Sequence, residues 1–154
     1  MDKLKLKTGT WVVVCDGRKA LFFDNIGDAE YPDLRIKDSE TRHAPKTSEM
    51  GTDKPGSVHQ SVGQSRSSVE QTDWHDREEE AFLKDLAARL DKAVQSGDAT
   101  GLVIVAAPRA LGMIRKAYSD AVKAALVAEV DKDYTNVPPD EIEERLVGKP
   151  GKSG

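Results

Sequence analysis

Apolar and polar positions change their period twice along this chain of 154 residues. Residues 10–16 read T-W-V-V-V-C-D, with Trp11, Val13 and Cys15 on one face of an extended strand and Val12 and Val14 on the other. A strand apolar on both sides is buried on both sides, which predicts a sheet covered by helices. Asp16-Gly17 is a turn pair, and residues 19–25 (K-A-L-F-F-D-N) continue as the second strand of a hairpin. A third, weaker strand is expected over residues 33–37, where Leu34 and Ile36 alternate, at an edge of the sheet.

The pattern then lapses. Residues 37–73 hold five apolar side chains among 37, namely Ala44, Met50, Val58, Val62 and Val69. That composition does not offset the entropy of ordering, so a long flexible loop is expected over 37–73. From Thr72 or Asp73, a plausible helix N-cap, the period becomes helical: Phe82, Leu83, Leu86, Leu90, Ala93 and Val94 recur at i, i+3, i+4 spacing up to Gly97. Residues 101–107 (G-L-V-I-V-A-A) form a wholly apolar, β-branched run, read as a central parallel strand. Pro108 opens a helix carrying Leu111 and Ile114, Ser119 caps a further turn or two, and residues 127–131 suggest a short strand. Pro138-Pro139-Asp140 starts a last helix with Ile142 and Leu146 inward. The order predicts one α/β domain over 8–147, a mixed sheet of about five strands covered by helices, with a disordered tail over 148–154.

Composition narrows the function classes. Hydrophobic residues are 38 %, and no apolar run approaches the ~20 residues of a bilayer span, so membrane insertion is not expected. The start Met1-Asp2-Lys3-Leu4-Lys5 has no apolar signal region, and the single Cys15 suits a reducing compartment, so a cytoplasmic location is expected. The balance of 23 basic against 27 acidic residues, net −4, argues against a nucleic-acid coat while leaving room for a local basic patch.

Candidate chemistry rests on a few polar residues. Asp16 and Asp24 at strand ends, with Asp131 and Asp133, are the groups a two-metal site would need, but the turn and strand-end reading is simpler and no metal is expected. His43, His59 and His75 match no zinc spacing. Cys15 between valines reads as an inert core thiol. Arg109, after a buried strand and at a helix start, is placed to meet a phosphate. In the loop, the small residues, Gln64 and Arg66 of the stretch Val62-Gly63-Gln64-Ser65-Arg66 could reach into a partner. A glutamine amide both donates and accepts, so it can position a water or line an RNA backbone.

Trp11-Val-Val-Val-Cys-Asp-Gly-Arg-Lys-Ala-Leu-Phe-Phe, Gly51-Thr-Asp-Lys-Pro-Gly, Val105-Ala-Ala-Pro-Arg-Ala-Leu-Gly, Arg115-Lys116 and Glu129-Val-Asp-Lys-Asp-Tyr-Thr-Asn-Val-Pro-Pro closely resemble the bacterial host attachment protein family, whose members are described as required for attachment to host cells. That family is similar in fold to the middle domain of archaeal and eukaryotic class I peptide-chain release factors and of Pelota rescue factors. In those factors a long loop carries Gly-Gly-Gln, whose glutamine helps water attack peptidyl-tRNA. The corresponding residues here are Val62-Gly63-Gln64, and valine disfavours the positive φ that glycine permits. The resemblance therefore implies a cytoplasmic interaction module touching ribosome or tRNA, with Arg66, Arg109, Arg115 and Lys116 on phosphate, no cofactor, and an indirect role in attachment. The alternative it implies is a peptidyl-tRNA hydrolase or ribosome-rescue activity that uses Gly63 and Gln64 as catalytic residues.

Overall fold

A computed structural model describes residues 3–42 and 64–148, the side chains of 64–75 excepted. Five strands form one sheet: β1 (Thr10–Cys15), β2 (Lys19–Asn25), β3 (Leu34–Thr41), β4 (Gly101–Val105) and β5 (Leu126–Val130), in the order β3-β2-β1-β4-β5. The hairpin β1–β2 and its neighbour β3 pair antiparallel, whereas β1, β4 and β5 run parallel. Parallel neighbours need crossovers. Helix α1 (Gln64–Ser96) lies on the path from β3 to β4, and α2 (Pro108–Arg115) and α3 (Asp120–Ala125) join β4 to β5. Helix α4 (Pro139–Val147) follows β5.

The two-residue period of β1 divides the core. Trp11, Val13 and Cys15, with Phe22, Leu102 and Ile104, pack against Leu83, Leu86 and Leu90 of α1, Leu111 and Ile114 of α2 and Val122 of α3. Val12 and Val14, with Phe23, Val103 and Val105, meet Leu6, Ile142 and Leu146 on the opposite face. Each fully buried leucine or isoleucine contributes about 1.5–3 kcal/mol, so both layers hold the sheet. The α/β class, the five mixed strands and the helical cover are those expected from the pattern. The charged start of the chain also joins the body: Leu6 is fully buried, and the Leu4 N–H donates to the Leu146 carbonyl at 2.8 Å.

Local chemistry sets the element ends. Gly97, with φ of 89°, terminates α1 in a backbone conformation that disfavours a side chain. Ser119 caps α3, its Oγ accepting from the Val122 N–H at 3.1 Å. Proline occupies the first turn of both α2 and α4.

Two boundaries differ from expectation. Strand β3 runs to Thr41, beyond the expected end at Lys37, and α1 begins at Gln64 instead of Thr72 or Asp73. Residues 37–41 and 64–73 of the expected loop are thus strand and helix. The first, K-D-S-E-T, is wholly polar and charged at three of its five positions, as suits an exposed edge strand, so no alternation marks it. The second, Q-S-R-S-S-V-E-Q-T-D, lacks apolar periodicity but also lacks glycine and proline, and its Gln, Arg and Glu are good helix formers. The remainder of that stretch, residues 43–63, lies outside the described residues.

Candidate functional site

Helix α1 dominates the site. Its 33 residues correspond to about 50 Å at 1.5 Å per residue. Gln64 is its first residue, about 18 Å of helix ahead of Asp76 and about 27 Å ahead of Phe82, the start of its apolar stripe. The stripe fastens the C-terminal half to the sheet, and a set of ion pairs aligns it.

Two arginines make the main clamps. Arg89 donates through Nη2 to Asp38 at 2.6 Å and through Nη1 to Glu40 at 2.8 Å, with its guanidinium 4.0 Å from the centre of the Phe22 ring. Hydrogen bonding from Arg89 holds the Asp38 carboxyl below its usual range. Arg42, just past β3, approaches Glu78 at 3.8 Å and donates to the Gly17 carbonyl at 3.4 Å. At Gly17 the turn comes so close to α1 that a Cβ would lie 2.5 Å from Glu79 Cγ, so glycine is required there. Neither arginine stood out in the sequence. The available signal was the pair Asp38 and Glu40 at strand spacing, opposite a cation flanking the helical stripe.

The acidic stretch 76–80 of α1 lies against α2. Arg109 pairs with Asp76 and approaches Glu79 at 3.2 Å, and Lys116 reaches Glu80 at 4.0 Å. Arg115 donates through Nε and Nη2 to one oxygen of Glu129, at 3.0 and 2.7 Å, while the Tyr118 hydroxyl donates to the other at 2.7 Å. Arg115 holds Glu129 below its usual pKa, against burial and with help from Tyr118, and burial raises the Tyr118 hydroxyl. Three cations expected on phosphate therefore engage carboxylates of the protein itself. They remain at the surface, Lys116 with 76 % of its side chain exposed. Arg66 lies in the first turn of α1, where the backbone alone is described, and Gly63 lies outside the described residues.

The other sequence candidates take structural places. The antiparallel hairpin sets Asp24 opposite Trp11 at the start of β1, whereas Asp16 follows the end of β1, so the two carboxylates do not converge. Asp16 caps its own turn by accepting from the Arg18 and Lys19 N–H groups, both at 2.8 Å, and accepts from the Thr135 hydroxyl at 3.2 Å. Among the described residues no group of three or more His, Cys, Asp or Glu is arranged to hold a metal ion. Burial pushes the Cys15 thiol up to about 12, which keeps it protonated and unreactive. Among the described residues no helix is long and apolar enough to cross a membrane.

Comparison with known proteins completes the description. Residues 9–146 match the model of a family described as bacterial archaeo-eukaryotic release factor family 12. No curated protein matches the chain.

Proposed function

The chain belongs to bacterial archaeo-eukaryotic release factor family 12, and from that premise we propose that it is a cytoplasmic, translation-factor-like module that engages ribosome or tRNA through the N-terminal end of α1. The observation that carries this reading is the seating of α1: among the residues whose side chains are described, the sheet packs on its apolar stripe, Arg42 meets its Glu78, and its own Arg89 meets Asp38 and Glu40 of β3, while Gln64 is its first residue. Such a mount suits a glutamine that must be delivered into a recess of a larger partner. The amide both donates and accepts, which fits an RNA backbone or a bound water.

Arg66, Arg109, Arg115 and Lys116 serve in this proposal as phosphate contacts. Exposed ion pairs are each worth only about 0–1 kcal/mol, so exchanging a carboxylate of the protein for a phosphate of RNA costs little. Such contacts release counterions and make binding fall steeply with salt. Any effect on attachment to host cells is then indirect, through translation of surface components.

Sedimentation on a sucrose gradient tests the proposal. The protein is expected in ribosomal fractions at low salt and at the top of the gradient at high salt, with Arg66→Ala and Lys116→Ala each weakening the association. Absence from ribosomal fractions at low salt overturns the reading. Peptidyl-tRNA hydrolysis is a separate claim, because Val62 replaces a glycine that the release loop would use. Adding the protein and its Gln64→Ala variant to ribosomes loaded with peptidyl-tRNA decides it: equal peptide release by the two removes hydrolysis through Gln64.

A further inference from the structure

Strand β3 ends the sheet, and among the described residues no strand pairs with its outer side. Such an edge offers a row of N–H and C=O groups to another chain. The Ile26 N–H donates to the Asp33 carbonyl and the Arg42 N–H to the Arg18 carbonyl. In an antiparallel ladder the residues in step with these two face β2, and those between them face outward. Leu34, Ile36, Ser39 and Thr41 therefore turn their backbone groups away from β2.

A bulge evens out that outer row. The register passes from Phe23 opposite Ile36 to Phe22 opposite Asp38, which leaves Lys37 as the extra residue. The outward residues consequently stand opposite Asn25, Phe23, Leu21 and Lys19, evenly spaced along β2. A two-fold axis through the middle of the row sets Leu34 against Thr41 of a second copy, and Ile36 against its Ser39.

The charges select this register. Lys37 lies over the Trp11 ring, and Asp38 and Glu40 meet Arg89 of α1, so these charges share the α1 side of the strand. Arg35, opposite Asp24, is on that side too. The two-fold pairing places Arg35 opposite Glu40 and Lys37 opposite Asp38 of the second copy, and beyond them Asp33 opposite Arg42. Opposite charges facing each other across strands attract, and like charges repel. Sliding one strand by two residues sets Arg35 against Arg42 in one direction and Asp33 against Glu40 in the other. Charge and bulge ordinarily keep an edge single. Here they penalise the neighbouring registers and favour one.

We propose that β3 pairs antiparallel with β3 of a second copy of this chain, joining two sheets into one. Arg89 occupies one oxygen of Asp38 and one of Glu40. The other Asp38 oxygen accepts from the Ser39 N–H at 2.8 Å. On pairing, that N–H passes to the Ile36 carbonyl of the second copy, and Lys37 of the second copy takes the oxygen. Ile36, 48 % exposed in the single chain, is covered. A two-fold contact of this kind is self-complementary and closes at two chains. It uses none of the residues assigned to RNA, so it stands apart from the function proposed above.

Light scattering on the purified chain, from low micromolar to millimolar concentration, is expected to show the mass rising from one chain to two. Lys37→Glu turns an attraction into a repulsion on both sides of the axis and should weaken the dimer by about tenfold or more. Ile36→Pro removes an N–H that the dimer uses and the ladder to β2 does not, and should abolish it. Mild oxidation of a mixture of Ile36→Cys and Ser39→Cys proteins should give a disulfide-linked dimer well ahead of either protein alone, because Cys15 is buried. The proposal is overturned by the mass of one chain at every concentration, by a dimer that Lys37→Glu leaves unchanged, or by cross-linking no faster in the mixture than in its components. Should Ile36→Pro fail to fold, the charge reversal and the cross-linking decide by themselves.

Discussion

Glu129 shows how a single side chain is committed twice over. It accepts two donors from Arg115 on one oxygen and the Tyr118 hydroxyl on the other, and so ties the end of α2 to β5. Its carboxyl is held below the ordinary range in the fold, mainly by Arg115. A depressed native pKa stabilises the protein above the unfolded value, about 4.3 for a glutamate, and that stabilisation is lost as pH falls through the native value. Glu129→Gln should therefore cost about 1–2 kcal/mol at neutral pH and progressively less in acid, where the curves converge. Urea denaturation of both proteins across the acidic range measures this. Parallel curves at every pH would show that the Glu129 charge contributes nothing. Arg115 was read from the sequence as a basic residue open to phosphate. Its partner lies fourteen positions away on β5, and a contact of that kind is not written in local spacing.

At the scale of elements, patterns with a buried face were legible and patterns without one were not. The double-sided apolarity of β1 and β4 and the stripe from Phe82 to Val94 mark elements whose burial dictates their period. Strand β3 exposes nearly all its side chains and is held by backbone pairing to β2 and by Arg89, so composition read it as loop beyond Lys37. Residues 64–73 of α1 carry no apolar period either, so composition alone marks them as loop. These two halves of α1 should respond differently to substitution. Leu90→Ala removes a fully buried side chain and should cost about 2–5 kcal/mol in urea denaturation. Val69→Pro breaks the helix ahead of the stripe. It should leave the global midpoint within about 0.5 kcal/mol of the parent while abolishing ribosome association. A large loss of stability in Val69→Pro would mean that the start of α1 belongs to the core.

For the whole molecule, topology turns a hairpin and two crossovers into a mount for one long helix. Three helices share one face of the sheet, and the N-terminal segment and α4 cover the other, so α1 is braced along the stripe that meets β1, β2 and β4. The class of fold and its family were legible because they rest on buried patterns and on specific motifs. The site was legible only in part. Gln64 was singled out by resemblance, but its position as the first residue of a 33-residue helix was not, because a polar stretch carries no period that distinguishes helix from loop.

Photo-crosslinking from position 64 on purified ribosomes tests the central claim most directly. A benzophenone amino acid placed there should attach to ribosomal RNA or bound tRNA, while the same group at position 127, an exposed site on the edge strand β5, should not. No attachment from position 64, or equal attachment from both positions, would contradict the account.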